Sequence, residues 1–256
     1  MEILPPGSSL YARGLQLFRS ELARVRRETL KPPPRLTLSQ WAAKYAVLSR
    51  ESSAETGRFE AFAYQNGIMD AFTDPVIERI YVKKSARVGY TKILDHAVGY
   101  YLEQDPCPIL LVQPRETDAE DYSKSEIAPM LRDTPVLAAL TGDPKSRSSS
   151  QTLLKKTLLN GSSLTLVGAN SPGGFRRITA RIVLFDEVDG YPVNGAGSEG
   201  DQIALGAKRS ETFWNRKIAA GSTPTIAGLS RIEDLYERGD QRRYYVPCPH
   251  CGEKQP

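Results

Sequence analysis

From residue 76 onward, short apolar runs alternate with segments of helical period, and this alternation constrains the fold more than any other feature. "VIERIYVKK" and "RKIAAGSTPT" read as strands, and "CPILLVQP" and "ARIVLFDEVD" as strands buried on both faces. Between them, "TKILDHAVGYYLEQ", "TDAEDYSKSEIAPMLRD", "QIALGAKRSETFW" and "GLSRIEDLYERGD" read as helices, the second of them polar and exposed. Near-continuous apolar strands interleaved with helices predict an α/β fold, a mostly parallel sheet covered on both faces. "TLLKKTLL" and "SSLTLVGA" flank Asn160-Gly161 and predict a hairpin.

The first 75 residues look different. "SSLYARGLQLFRSELARVRRETL", residues 8–30, carries a stripe of Leu10, Leu15, Leu17, Phe18, Leu22 and Val25, and predicts an amphipathic helix that ends at "KPPP". Ser39 is expected to cap a short helix, "QWAAKYA", and another helix is expected at about 60–73. The chain thus divides into a helical lead-in over 1–75, a core over 76–240, and a linker over 241–256.

Hydrophobic content of 40% and charged content of 25% fit a globular protein, and no run of about 18 apolar residues predicts a membrane span. The three cysteines, Cys107, Cys248 and Cys251, do not make a disulfide framework and suit a reducing compartment. A net charge of +4 permits a polyanionic partner, with basic runs at 24–31 and 145–156.

Two motifs carry chemistry. "KKSARVGYTK" has the layout of a phosphate-binding loop: a strand, a loop with Ser85, Ala86 and Gly89, a hydroxyl at Thr91, then a helix. The usual pattern, G-x-x-x-x-G-K-[ST], puts Lys directly before that hydroxyl. Here Tyr90 fills the lysine slot and Lys84 the first glycine slot. The loop by itself is compatible with a broken site, a plain strand-to-helix turn, or a working variant. The second motif, "RIVLFDEVDGY", ends an apolar strand in Asp186 and Glu187. P-loop nucleoside triphosphatases need this pair: the Asp holds magnesium and the Glu polarises the attacking water. Both motifs fall at carboxyl ends of strands, where α/β sheets place ligands.

Two weaker motifs join them. "AAGSTPT" closes a strand with Ser222 and Thr223, hydroxyls suited to sensing a γ-phosphate. In "RFEAFAYQNG", Gln65 is placed to read an adenine edge, with Tyr64 or Phe59 near the base. Core packing is the plainer expectation for that stretch.

The ordered set "LTLSQWAAKYAVLSRE", "TGRFEAFAYQNGIMD", "KKSARVGYTK", "GANSPGGFRR", "VLFDEVDGYP", "GSTPT" and "VPCPHCGEKQ" resembles the large subunit of lambda-type bacteriophage terminases, from about residue 35 to the end. The resemblance implies an additional-strand, RecA-like P-loop ATPase that packages double-stranded DNA, with ATP and Mg2+ as cofactors. It implies a small terminase subunit and a procapsid portal as partners, ring assembly during packaging with the isolated domain possible as a monomer, and work in the host cytoplasm. The family's RNase H-like nuclease is not expected in this chain. In this family the displaced-lysine loop is a working variant. Lys84 then supplies the charge for the β- and γ-phosphates, with Arg87 as a further cation and Lys92 less suited. Backbone N–H groups from Ser85 through Val88 and Gly89 to Tyr90 and Thr91 cradle the phosphates, and Thr91 and Asp186 hold the metal. Arg176 or Arg177 is expected to reach a neighbouring subunit's nucleotide or to grip DNA. "CPHC" supplies only Cys248 and Cys251, half of a zinc ribbon, so zinc is expected only if ligands outside this chain complete the site. Two other functions share these motifs: a DEAD-like helicase, and a non-hydrolysing DNA-binding assembly module with a decayed loop.

Overall fold

The alternation becomes a six-stranded sheet in the computed structural model, which describes residues 9–29, 34–53, 55–142, 152–171, 173–193 and 200–255. The chain forms two compact units, one ending at Arg35 and one starting at Leu36. The first holds α1 (Ser9–Thr29), where the apolar stripe predicts it.

The second unit opens with α2 (Leu38–Tyr45). Its cap is Thr37, not Ser39. The Thr37 hydroxyl accepts from the Gln40 N–H, and the Gln40 side chain accepts from the Thr37 N–H, a reciprocal capping box. Ser39 instead donates to Asp70 Oδ1 at 2.6 Å. A short antiparallel pair follows, β1 (Val47–Leu48) with β2 (Gly57–Arg58). Then comes α3 (Ala63–Thr73), which starts later than predicted because the Gln65 side chain takes the Phe62 N–H at 2.9 Å and fixes the entry there.

β3 (Arg79–Lys83) leads through a loop into α4 (Tyr90–Glu103), and β4 (Pro108–Gln113) follows. The next segment is not the exposed helix predicted. It is α5 (Glu116–Tyr122), a π-helical turn (Ser123–Ile127) and α6 (Ala128–Asp133), with Tyr122, Ile127, Met130 and Leu131 buried. The wider π turn shifts the period, which hides the stripe from a strict 3.6-residue reading. α7 (Pro135–Ala138) precedes the hairpin of β5 (Lys155–Thr157) and β6 (Ser163–Gly168) around Gly161, which sits at φ 83°. β7 (Ile182–Asp186) is buried throughout. α8 (Gln202–Lys208) stops six residues short of the predicted end, where the Ser210 hydroxyl takes the Ala207 carbonyl at 2.7 Å. β8 (Lys217–Ser222), α9 (Arg231–Glu237) capped by Ser230, and the short pair β9 (Val246–Pro247) with β10 (Lys254–Gln255) complete the unit.

The strand order is β3-β8-β7-β4-β6-β5, parallel except at β5–β6. β8 therefore lies between the loop strand β3 and the acidic strand β7. Alternation sorts the strands into two cores. Ile109, Leu111, Ile182, Leu184 and Ala219 face α4, together with Trp41, Met69 and Phe72 from α2 and α3. Leu110, Val112, Val183, Phe185 and Ala220 face Phe175 and Ile232 on the other side. Residues 36–75 thus pack into the same core as the sheet. Among the described residues no helix is long and apolar enough to cross a membrane.

His96 on α4 is buried against the Phe59 ring, centroids 4.1 Å apart, and neither ring nitrogen has a partner among the described residues. Burial, aided by nearby Lys92, lowers its pKa from 6.5 to about 3. Between these values the unfolded chain binds a proton that the folded chain refuses. Stability therefore falls as pH drops through this window, by up to about 1.4 kcal/mol per pH unit from this group. His96→Leu should flatten that slope between about pH 7 and pH 4 in urea denaturation, and an unchanged slope would assign the acid sensitivity to other groups.

Candidate functional site

Four strand ends converge at the carboxyl edge of the sheet: β3, β8, β7 and β4. The loop from Lys84 to Gly89 turns there from β3 into α4. Gly89 takes the helix N-cap at φ 77°, a left-handed conformation that glycine adopts without strain. Arg87 is also left-handed, at φ 61°, where a side chain is strained. Ser85, Ala86 and Arg87 are exposed on the rim, and Val88 is half-buried.

α3 buttresses this loop from below. The Val88 carbonyl accepts from Tyr64 Oη and from Gln65 Nε2, both at 3.1 Å. A Cβ on Gly89 would lie 2.6 Å from Gln65 Nε2, so only glycine lets the amide fit. Gln65 is thus employed at both ends, by Phe62 N–H and by the Val88 carbonyl, and is 2% exposed. Through these bonds it braces the loop. Phe59 is a core residue against His96. Tyr64 stacks on Phe62 at 5.7 Å and meets Tyr244 edge-on at 6.1 Å.

Lys84 joins the loop to both neighbouring strand ends. Its backbone N–H donates to the Ser222 carbonyl at 3.1 Å, and its Nζ lies 2.5 Å from Glu187 Oε1. The side chain is only 8% exposed. Lys83 points the other way, to Glu233 on α9 at 2.7 Å. Lys92 lies on α4 and is engaged elsewhere, with Glu126, with Asp95 at 3.2 Å and with Ser52 at 3.0 Å. Thr91 is half-buried in the first turn of α4.

The acidic pair divides its work. Glu187 sits at φ 50° and accepts at Oε2 from Ser222 Oγ (3.1 Å) and the Thr223 N–H (3.3 Å). Asp186 is 4% exposed; its Oδ2 accepts from Gln113 Nε2 at 3.3 Å, and its Oδ1 has no partner among the described residues. Burial pushes the Asp186 pKa up to about 6. The Gln113 amide opposes this, Glu187 adds to it, and Lys84 opposes it again.

Tyr90, in the usual lysine slot, is buried beneath the loop. Its ring lies on Gly221 of β8, and Lys84 Nζ stands 5.7 Å from the ring centroid. Burial, then the charges of Asp186 and Glu187, hold its pKa well above the usual value.

The sequence reading missed two residues here. Gln113 ends the apolar run of β4, and a polar residue closing a buried strand is the signal that marks it. Asp189 ties three elements together. Its Oδ2 accepts from the Thr225 N–H and hydroxyl (3.0 and 3.1 Å), its Oδ1 from the Ile232 N–H of α9 (2.9 Å), and its N–H donates to Ser222 Oγ (3.3 Å).

The other sequence candidates lie apart from this centre or outside it. Arg176 and Arg177 are exposed on the β6–β7 connection, Arg177 at φ 60°. The basic loop at 145–151 falls outside the described residues. Cys248 and Cys251 are free cysteines in the β9–β10 turn, and no group of three metal-binding side chains occurs among the described residues.

Gly221 gives a test of this packing. A Cβ there would lie 2.3 Å from two ring carbons of Tyr90. Gly221→Ala should cost about 1–3 kcal/mol in thermal or urea unfolding, as overpacking does. An unchanged stability would mean that Tyr90 does not rest on β8.

Known proteins are similar to this chain in sequence and in fold. The family model for the phage terminase large subunit gpA, ATPase domain, matches residues 53–256. The terminase large subunit of Enterobacteria phage P21 is 37% identical over 225 residues, 87% of this chain and 35% of its own length. That of Escherichia phage lambda is 33% identical over 231 residues, 90% of this chain and 36% of its own. The chain therefore spans about a third of the length of these relatives. Among solved structures, the HK97 bacteriophage large terminase superposes with a TM-score of 0.61 at 11% identity, covering 78% of this chain and 40% of that one. The Thermus phage P74-26 large terminase ATPase domain gives 0.51 at 16% identity, covering 77% of each. With a family model matched over most of its length, the chain belongs to the gpA ATPase-domain family of phage terminase large subunits.

Proposed function

We propose that this chain is the ATP-hydrolysing motor domain of a terminase large subunit, coupling hydrolysis to translocation of double-stranded DNA into a procapsid. The observation that carries this reading is the pairing of Lys84 with Glu187 at 2.5 Å, flanked by Ser222 and Thr223, at the carboxyl edge of the sheet. It puts a cation, a carboxylate and strand-end hydroxyls within one hydrogen-bonded cluster, the set that this reading needs.

In this reading the triphosphate lies along the loop N–H groups at the start of α4, where the helix dipole favours an anion. Lys84 exchanges Glu187 for the β- and γ-phosphate oxygens. Glu187, released from the lysine, orients the attacking water, and Ser222 and Thr223 register the γ-phosphate. Asp186 and Thr91 offer the hard oxygen donors that Mg2+ takes, and the unpartnered Oδ1 of Asp186 fits that use. Bound there, the metal supplies charge neutralisation on the phosphates. Arg87 on the loop rim and Arg176 on the β6–β7 connection are the cations assigned to transition-state charge, the latter toward a neighbouring subunit in a ring.

The wider assignments rest on the family. Double-stranded DNA, a small terminase subunit and the procapsid portal are the proposed partners, and the host cytoplasm the proposed location. Zinc at Cys248 and Cys251 requires ligands supplied from outside this chain.

Four outcomes are expected. Glu187→Gln should keep ATP binding and lose turnover by about 10²–10⁴-fold. Lys84→Ala should cost roughly 2–5 kcal/mol of nucleotide affinity. Lys92→Ala, which removes a cation committed to Glu126 and Asp95, should have a small effect by comparison, and calorimetry giving the reverse ranking would place the phosphates in a different register. DNA binding should be independent of sequence and should weaken steeply with salt, as phosphate contacts do; a salt-insensitive interaction in filter binding would contradict a sliding motor.

A further inference from the structure

The Tyr90 hydroxyl is buried, and it has no hydrogen-bond partner among the described residues. Buried hydroxyls are normally paired, and one left unpaired destabilises the fold. A phenylalanine would fill the same space over Gly221 without that penalty. The oxygen therefore needs an explanation that ring packing does not give.

Its surroundings supply one. Gly221 is the register partner of Asp186 across β8 and β7, so both residues address the α4 face of the sheet. Tyr90 lies on that face, and a Cβ on Gly221 would be 2.7 Å from its Oη. Asp186 on that face also carries an unpartnered oxygen, Oδ1. Two buried oxygens, one a donor and one an acceptor, thus face the same small region next to the phosphate loop. The lysine normally found at this position has its counterpart in Lys84, which enters above the Tyr90 ring.

We propose that the Tyr90 hydroxyl is a positioning group for the magnesium side of the nucleotide site, donating a hydrogen bond to the metal's oxygen shell beside Asp186. This rests on the nucleotide-binding reading above and adds a residue to it. In this family's loop the position before the hydroxyl residue has then changed its task. It no longer brings charge to the phosphates; it orders the oxygens around the metal.

The test is Tyr90→Phe, which removes one oxygen and keeps the ring. Without nucleotide, its melting temperature should equal or exceed that of the wild type. With Mg2+, ADP affinity by calorimetry should fall about tenfold, the size of a lost hydrogen bond to a charged group. In EDTA, the two proteins should bind ADP alike. Equal affinity in Mg2+ would overturn the proposal, as would an equal loss with and without Mg2+, which would put the hydroxyl on a phosphate. A lowered melting temperature would overturn it too, because the hydroxyl would then have a structural partner. Asp186→Asn provides a second route: the double variant should lose less Mg2+-dependent affinity than the sum of the single losses, and strict additivity would sink the shared-ligand claim. If the wild type itself binds no ADP, the nucleotide reading fails rather than this refinement of it.

Discussion

The ion pair between Lys84 and Glu187 organises the carboxyl edge of this domain. Both residues follow directly on strands that do not touch one another, since β8 lies between β3 and β7. The pair closes over the end of β8, and Ser222 and Thr223 fill the remaining positions on Glu187. A lysine side chain only 8% exposed cannot stand without an anion, because a desolvated charge must be neutralised. In the function proposed here the same need makes the pair exchangeable, with an incoming phosphate taking the place of Glu187 on Lys84. Under that proposal, phosphate binding and release of Glu187 become one event.

This arrangement explains why the lysine can move to the start of the loop. What the phosphates require is a cation at a point in space, and the first and sixth loop positions both lie near that point. Under the proposal the charge comes from Lys84, and position 90 holds a tyrosine that packs under the loop on Gly221. α3 supports the far side of the loop through Tyr64 and Gln65 on the Val88 carbonyl. Asp189 extends the cluster outward, from Ser222 to the first turn of α9, whose Glu233 returns to Lys83. The loop, the acidic turn and α9 are therefore bonded in a closed circuit.

Much of this was legible in the sequence. The buried strands announced themselves because β4 and β7 are apolar on both faces, and the loop and acidic pair were found because their chemistry is local in sequence. What was missed has physical causes. Beside the base contact expected of it, Gln65 bonds the Phe62 N–H and the Val88 carbonyl, contacts that only the fold creates. The helix after β4 looked exposed because a π turn breaks its period. Gln113 and Asp189 were passed over because their partners lie 73 and up to 43 residues away, beyond the reach of motif spacing.

The most direct measurement is a crystal structure of this domain with Mg2+ and a non-hydrolysable ATP analogue. The account requires Lys84 Nζ to have left Glu187 for the β- and γ-phosphate oxygens, with Glu187 turned toward water and Lys92 still bonded to Glu126. Phosphates held by Lys92, with the Lys84–Glu187 pair intact, would contradict it.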